Sequence, residues 1–150
     1  MESDSSLYFE DITKGDRLPE LVKIPSSQQL VKFGCATYDY YPLHFDKEFA
    51  ISHGLTDIIV HGPLKNSFLA QLVTDWIGEE GVIKKLNVQY RGMDIPNKKL
   101  IGSGTVSSKY VDNSENLVTV DLQIINEAGV ITTNGCSLVA LPSRLRDYSG

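Results

Sequence analysis

One apolar helical pattern constrains the fold of this chain more than any other feature. After Pro63, large apolar residues recur at spacings of three and four positions, which is the period of an α-helix. They are Leu64, Phe68, Leu69, Leu72, Val73, Trp76 and Ile77. Pro63 fits the first position of this helix, and Gly78 and Gly81 close it. A helix with so wide an apolar stripe must be covered by another layer of structure.

The sequence after Gly81 predicts that this layer is a sheet. Alternation of apolar and polar residues, interrupted by turn-forming residues, predicts strands over residues 86–91, 100–111, 117–125 and 130–141. We expect these four strands to form an antiparallel meander, preceded by one strand over residues 18–24. The order of elements therefore predicts an α+β fold in which a curled antiparallel sheet wraps a central helix.

Two shorter helices are expected before the central one. Ser26 with Gln29 three residues later is a capping-box pattern, which predicts a helix from residue 27 to about residue 37. Asp46 is expected to cap a second helix that runs from residue 47 to about residue 53, with Gly54 at its C-terminal end.

The segment between these helices carries a candidate acid/base pair. Asp39 and His44 lie five positions apart, and Pro42 keeps the segment out of regular helix. An aspartate can accept a proton while a nearby histidine, whose ordinary pKa is near neutrality, donates one. Spacing alone fits a turn-forming aspartate and a solvated histidine at least as well, so the wider sequence must decide.

The same segment resembles the signature G-D-x-N-P-x-H-x-D of the MaoC-like (R)-specific enoyl-CoA hydratases and 3-hydroxyacyl dehydratases. Asp39, Pro42, His44 and Asp46 occupy the matching positions, whereas Tyr38 and Tyr41 replace the Gly and Asn of the family. The resemblance implies a hot-dog fold, with short helices carrying the catalytic loop. It implies one MaoC-like domain over residues 1–150, with a core from about residue 8 to residue 141.

The resemblance also implies an activity and roles for individual residues. The activity is reversible syn addition of water to a 2-enoyl thioester of coenzyme A or an acyl carrier, with Asp39 and His44 as the acid/base pair. The amide of Gly62, with Pro63 next to it, is expected to stabilise the enolate-like oxygen. His61 could line the substrate tunnel or be a polar residue at the helix start, and the second interpretation is preferred.

Tyr41 has two open interpretations, which are a core-facing aromatic that closes the pocket and a wall that shapes the substrate. The resemblance implies no cofactor other than the coenzyme A or phosphopantetheine part of the substrate. It implies at least a homodimer, since a single hot-dog unit exposes a sheet edge, and a heteromeric MaoC-like partner is the alternative.

Two other functions remain open. The first is a hot-dog thioesterase, which would use a carboxylate on or beside the central helix. Asp75 is the candidate, although it lies near the far end of that helix. The second is a noncatalytic acyl-binding subunit, for which the tyrosine at position 41 is the best support.

Net charge and the length of apolar runs argue against a nucleic-acid binder and a membrane protein. The net charge of -5 argues against a nucleic-acid binder. No apolar run reaches the roughly 18 residues of a membrane span and the N-terminal residues are unlike a signal peptide, so we expect a cytoplasmic protein with no membrane partner.

The cysteines, the basic residues and the histidines do not form a recognisable reactive or metal-binding pattern in the sequence. Cys35 and Cys136 are expected to be free buried thiols. Lys65 and other basic residues could meet the phosphates of coenzyme A or a phosphopantetheine arm, but a solvated face is the preferred interpretation. The three histidines are scattered along the chain, so we expect no metal site.

Overall fold

A computed structural model describes residues 7–145, in which a five-stranded antiparallel sheet packs against one long helix. The helices are α1 (Ser27–Thr37), α2 (Lys47–Ser52) and α3 (Gly62–Ile77). The strands are β1 (Leu21–Lys23), β2 (Val82–Tyr90), β3 (Leu100–Asp112), β4 (Glu115–Asn126) and β5 (Ile131–Ala140). Short 3-10 turns occur at Phe9–Asp11 and Pro42–His44.

The strands are ordered β1-β3-β4-β5-β2 across the sheet. Strands β3, β4 and β5 form the expected meander, but β2 pairs with β5 and not with β3. The predicted four-strand meander is therefore wrong for β2. Residues 91–99 connect β2 to β3, and this connection is too long for a tight hairpin. It takes the chain from the edge strand β2 past β5 and β4 to the position of β3.

The predicted strand over residues 18–24 is also too long. Only Leu21–Lys23 forms β1, although the amide of Leu18 still donates to the carbonyl of Gly104 over 3.0 Å. Pro19 follows directly and has no N–H to give to a ladder, which explains why continuous pairing starts later.

The core lies between α3 and the concave face of the sheet. Leu69 and Val73 on α3 are fully buried, and β4 turns Val118, Val120, Leu122 and Ile124 inward, as its alternation predicted. Burial of each such side chain stabilises the fold by about 1.5–3 kcal/mol, so this layer supplies the scaffold on which the loop between α1 and α2 is held.

The two short helices begin as expected. The Ser26 hydroxyl accepts a hydrogen bond from the Gln29 amide over 3.1 Å, and an Asp46 carboxylate oxygen accepts one from the Phe49 amide over 2.9 Å. Gly54 follows α2 with a positive φ of 82°, which glycine adopts without strain. The Asp46 cap fixes where the loop between α1 and α2 ends.

Three expectations about single residues change. Both cysteines are free, but neither is buried, since Cys136 is only half-buried and Cys35 is exposed. Cys35 is exposed because it lies on the side of α1 that faces a surface cleft. Lys65 is buried, not solvated, because it pairs with Asp94 inside the protein.

Among the helices of residues 7–145, none combines the length and apolar character that crossing a membrane requires.

Candidate active site

The loop that carries the site starts with a left-handed turn at the end of α1. Tyr38 has a φ of 58°, and the amides of Tyr38 and Asp39 both donate to the carbonyl of Gly34. A left-handed conformation costs a non-glycine residue about 1–2 kcal/mol, and glycine would avoid that cost. The turn takes the chain sharply off the helix axis and brings Asp39 towards His44.

Asp39 and His44 face each other across a short gap. The amide of Tyr41 donates to Oδ1 of Asp39 over 3.3 Å, which leaves Oδ2 directed at His44, 3.8 Å from its Nε2. This distance is too long for a direct hydrogen bond. A water oxygen placed about 2.8 Å from each atom would complete a triangle with them, so the two groups can hold one water together.

The orientation of the His44 ring follows from its other nitrogen. Nδ1 lies 2.7 Å from the carbonyl oxygen of Ile59. Because a carbonyl only accepts hydrogen bonds, Nδ1 carries the proton in the neutral ring. Nε2 therefore turns its lone pair towards Asp39, and neutral His44 is a proton acceptor on that side.

His61 lies directly beneath this pair. Its side chain is fully buried and its ring stacks on that of His44, with 3.8 Å between centroids and 22° between planes. Burial, followed by the proximity of His44, lowers the pKa of His61, and the carboxylate of Asp39 opposes this. Among residues 7–145, neither ring nitrogen has a hydrogen-bond partner. His61 is the N-cap residue of α3, as its preferred interpretation expected, but its ring is buried against His44 and lines the cleft described below.

A surface cleft of about 220 Å³ opens beside the pair. Its lining residues are Leu30, Val31, Gly34, Cys35, Asp39, Tyr40, Phe45 and His61. The walls are mainly apolar, apart from Asp39 and His61, so the cleft can accommodate an apolar chain next to Asp39, whereas His44 does not line it. Sequence reasoning missed Tyr40 and Phe45, and the available signal was that these aromatic residues directly follow Asp39 and His44 in the sequence.

Tyr41 does not close this cleft. Its side chain is 52% exposed, and its ring meets those of His44 and Phe49 edge to face, with centroids 6.4 Å and 6.1 Å away. The core-facing interpretation is wrong, because the N-terminal side of the Pro42–His44 turn projects Tyr41 outward. Its neighbour Tyr40 is the tyrosine that lines the cleft.

The first residue of α3 presents a free amide. Gly62 begins the helix and Pro63 is its second residue, and the N–H of Gly62 has no partner within residues 7–145. The ring of Tyr90 lies so close that a Cβ on Gly62 would be 2.8 Å from it. A Cβ on Gly62 would therefore displace this ring, and Tyr90 is a neighbour of the site that sequence reasoning missed.

Asp39, His44 and His61 also form the one cluster in the described part of the chain that could hold a metal ion, with ligand atoms within 4.8 Å of one another. The histidines are thus less scattered in space than in sequence. A metal ion lies in the plane of each imidazole that binds it, however, and two rings stacked almost parallel do not direct their nitrogens at one point. Metal binding would require this stack to open.

Comparisons with known proteins agree on one family. The sequence model of the MaoC-like domain matches residues 11–128. The (R)-hydratase from A. caviae involved in PHA biosynthesis superposes with a TM-score of 0.80 at 20% identity, over 89% of this chain and 99% of that one. Such likenesses confirm the hot-dog fold.

Two similar proteins come from Mycobacterium tuberculosis. The ChsH1-ChsH2 complex superposes with a TM-score of 0.76 at 25% identity, over 86% of this chain and 98% of that one. The 3-oxo-4,17-pregnadiene-20-carboxyl-CoA hydratase beta subunit is 31% identical over 75 residues, which are 50% of this chain and 58% of that protein. The chain thus covers less than two thirds of the length of the curated relatives it matches.

Proposed function

Because the chain belongs to the MaoC-like domain family of hydratases and dehydratases, we propose that it hydrates a 2-enoyl thioester reversibly to a 3-hydroxyacyl thioester. The observation that carries the proposal is the 3.8 Å gap between Oδ2 of Asp39 and Nε2 of His44, beside an apolar cleft that Asp39 lines. Both atoms are proton acceptors when Nδ1 of His44 carries the ring proton, so a water between them can be held and deprotonated from the same side.

The hydration step uses this arrangement as follows. The water oxygen bonds to the β-carbon of the enoyl group while one of the two acceptors takes a proton from it. The double-bond electrons pass towards the thioester carbonyl, and a proton returned by the site to the α-carbon completes the addition on one face. Dehydration is the same sequence reversed. Because burial lowers the pKa of His61, that ring stays neutral, and no second positive charge lies beside His44 when His44 holds the proton.

The enolate-like oxygen needs a donor during this step. The unpartnered amide of Gly62 at the start of α3 is suited to this role, because the helix N-terminus adds its partial positive charge. Pro63 has no N–H and leaves the amide of Gly62 without competition from its neighbour. We propose no cofactor beyond the coenzyme A or phosphopantetheine arm of the substrate.

The test is to incubate the protein with crotonyl-CoA and to follow the enoyl thioester absorbance together with free thiol. We expect the absorbance to fall without thiol release. Asp39→Asn and His44→Gln should each lower kcat by about 10²–10⁴-fold, which is the usual contribution of positioned proton transfer. His53→Gln, which changes an exposed histidine at the C-terminal end of α2, is the matched control and should retain activity. Near-normal rates in both site variants would overturn the mechanism.

The thioesterase alternative has weaker support. Asp75 lies thirteen residues beyond Gly62 on α3, which corresponds to about 20 Å along the helix. Its side chain is exposed and accepts a 3.4 Å hydrogen bond from Gln71, in a shallow groove separate from the cleft. Thiol release from crotonyl-CoA that disappears in Asp75→Asn would favour this alternative over hydration.

A second MaoC-like subunit is part of the proposal. The relative that is a hydratase beta subunit and the similar chain from a two-protein complex both support an oligomer, homomeric or heteromeric. Because Asp39 and His44 are both present, we propose that this chain is the catalytic subunit of any such pair, and not a noncatalytic acyl-binding one. Light scattering of the purified chain should give at least a dimer mass or, with a coexpressed partner, a mixed complex.

A further inference from the structure

A buried ion pair lies at the start of α3, close to the site but outside it. Nζ of Lys65 is 2.9 Å from Oδ2 of Asp94, and the two side chains are each only 2% exposed. Nζ also donates to the carbonyl of Gly92 over 2.8 Å, and the hydroxyl of Thr132 donates to the same Asp94 oxygen over 2.6 Å. The pair therefore ties α3 to the 91–99 connection and to β5.

The backbone of Asp94 continues this network towards the site. Its carbonyl accepts a hydrogen bond from the amide of Val60 over 2.7 Å. The preceding residue, Ile59, accepts the Nδ1 proton of His44 over 2.7 Å and donates its own amide to Leu43 over 2.9 Å. The Ile59 carbonyl, which orients the His44 ring, therefore belongs to the residue directly before Val60, whose amide is bonded to the Asp94 carbonyl.

A second connection runs along α3. The amide of Lys65 donates to the carbonyl of His61 over 3.2 Å, and the ring of His61 stacks on that of His44. The backbones of Asp94 and Lys65 are therefore bonded to Val60, which follows the Ile59 carbonyl that faces Nδ1, and to His61, whose ring stacks on the same imidazole. Neither of them lines the cleft, so neither contacts a substrate bound there.

We propose that the Lys65–Asp94 pair is a positioning device for His44, which keeps its Nδ1 proton on Ile59 and its Nε2 lone pair towards Asp39. This role rests on the proposed function. A buried ion pair contributes little net stability compared with apolar side chains of similar volume, since desolvation offsets the attraction of the charges. The fixed hydrogen-bond directions of the pair are what apolar side chains could not supply.

The test replaces both charges together, because removal of one would leave the other buried and unpaired. Lys65→Met/Asp94→Leu should fold with a Tm close to that of the wild type. Its kcat with crotonyl-CoA should fall about ten- to a hundredfold, with a smaller change in KM, because a displacement of about 1 Å in a catalytic group costs about 10²-fold. Lys84→Met/Glu115→Leu removes an exposed pair on the sheet and should leave kcat unchanged.

A second readout does not depend on turnover. The ¹⁵N shifts of the His44 ring, measured at about pH 8 where a histidine is neutral, report which nitrogen carries the proton. The wild type should show only the Nδ1–H form and the double variant a mixture of both forms. An unchanged tautomer in the double variant would overturn the inference, whatever its kcat.

Two outcomes need a separate measurement. If the double variant does not fold, Thr132→Val removes one donor from Asp94 at nearly constant volume and should shift the tautomer in the same direction; an unchanged tautomer there overturns the inference. If the wild type hydrates no enoyl thioester, the proposed function fails, and the tautomer measurement still decides whether the pair positions His44.

Discussion

Gly34→Ala should separate the activity of this protein from its stability. A Cβ on Gly34 would lie 2.8 Å from the carbonyl oxygen of Asp39 and 3.5 Å from Nε2 of His61. Ordinary carbon–oxygen contacts begin near about 3.3 Å, so the backbone of Asp39 must move by about 0.5 Å. Since about 1 Å of displacement costs about 10²-fold in rate, we expect kcat to fall about tenfold.

The effect of this substitution on stability is the sum of opposing contributions. Alanine favours the helix by about 1 kcal/mol over glycine, whereas overpacking costs about 1–3 kcal/mol. We expect a net loss of up to about 2 kcal/mol in the free energy of unfolding, measured by urea denaturation. Gly102→Ala is the control, because its Cβ meets nothing closer than 3.6 Å and should leave kcat unchanged. A Gly34→Ala protein with wild-type kcat would refute the close fit between α1 and Asp39.

Three further predictions concern residues around the site. Because burial lowers the pKa of His61 in the folded protein, the unfolded protein takes up a proton at this residue first as the pH falls. The free energy of unfolding should therefore drop below about pH 6.5, by at most about 1.4 kcal/mol per pH unit. Urea titrations of His61→Phe at several pH values should show a shallower drop. Tyr38→Gly should raise the free energy of unfolding by up to about 1 kcal/mol, by relieving the left-handed turn. Phe45→Ala should raise KM for crotonyl-CoA severalfold, since it removes one wall of the cleft, whereas exposed Ile51→Ala should not.

Local sequence signals predicted most of the fold. Ser26 and Asp46 cap helices where their hydrogen-bonding groups predicted, and β4 follows its period-two alternation from Val118 to Ile124. The pairing of β2 with β5 could not be read in the same way, because alternation identifies a strand and its inward face but not its neighbour. That the chain is a single domain over residues 1–150 stays a prediction.

The sequence predicted two short segments of the candidate site, which are the loop of Asp39 and His44 and the start of α3 at Gly62. Asp39 and His44 share a loop, and the signature they match placed them together before any geometry was available. His61 was underrated because its burial depends on α1 and on the 3-10 turn, which pack over it from elsewhere in the sequence. The Lys65–Asp94 pair is separated by 29 positions, so nothing in the sequence distinguished Lys65 from a surface lysine.

A double-mutant cycle on kcat tests the central claim most directly, namely that Asp39 and His44 act on the same water. The measurement compares Asp39→Asn, His44→Gln and the variant that carries both substitutions, with crotonyl-CoA as substrate. If the two groups act as one unit, the double variant should lose little more than the worse single variant. A loss equal to the product of the two single losses would contradict the claim, because it would mean that the two groups act independently.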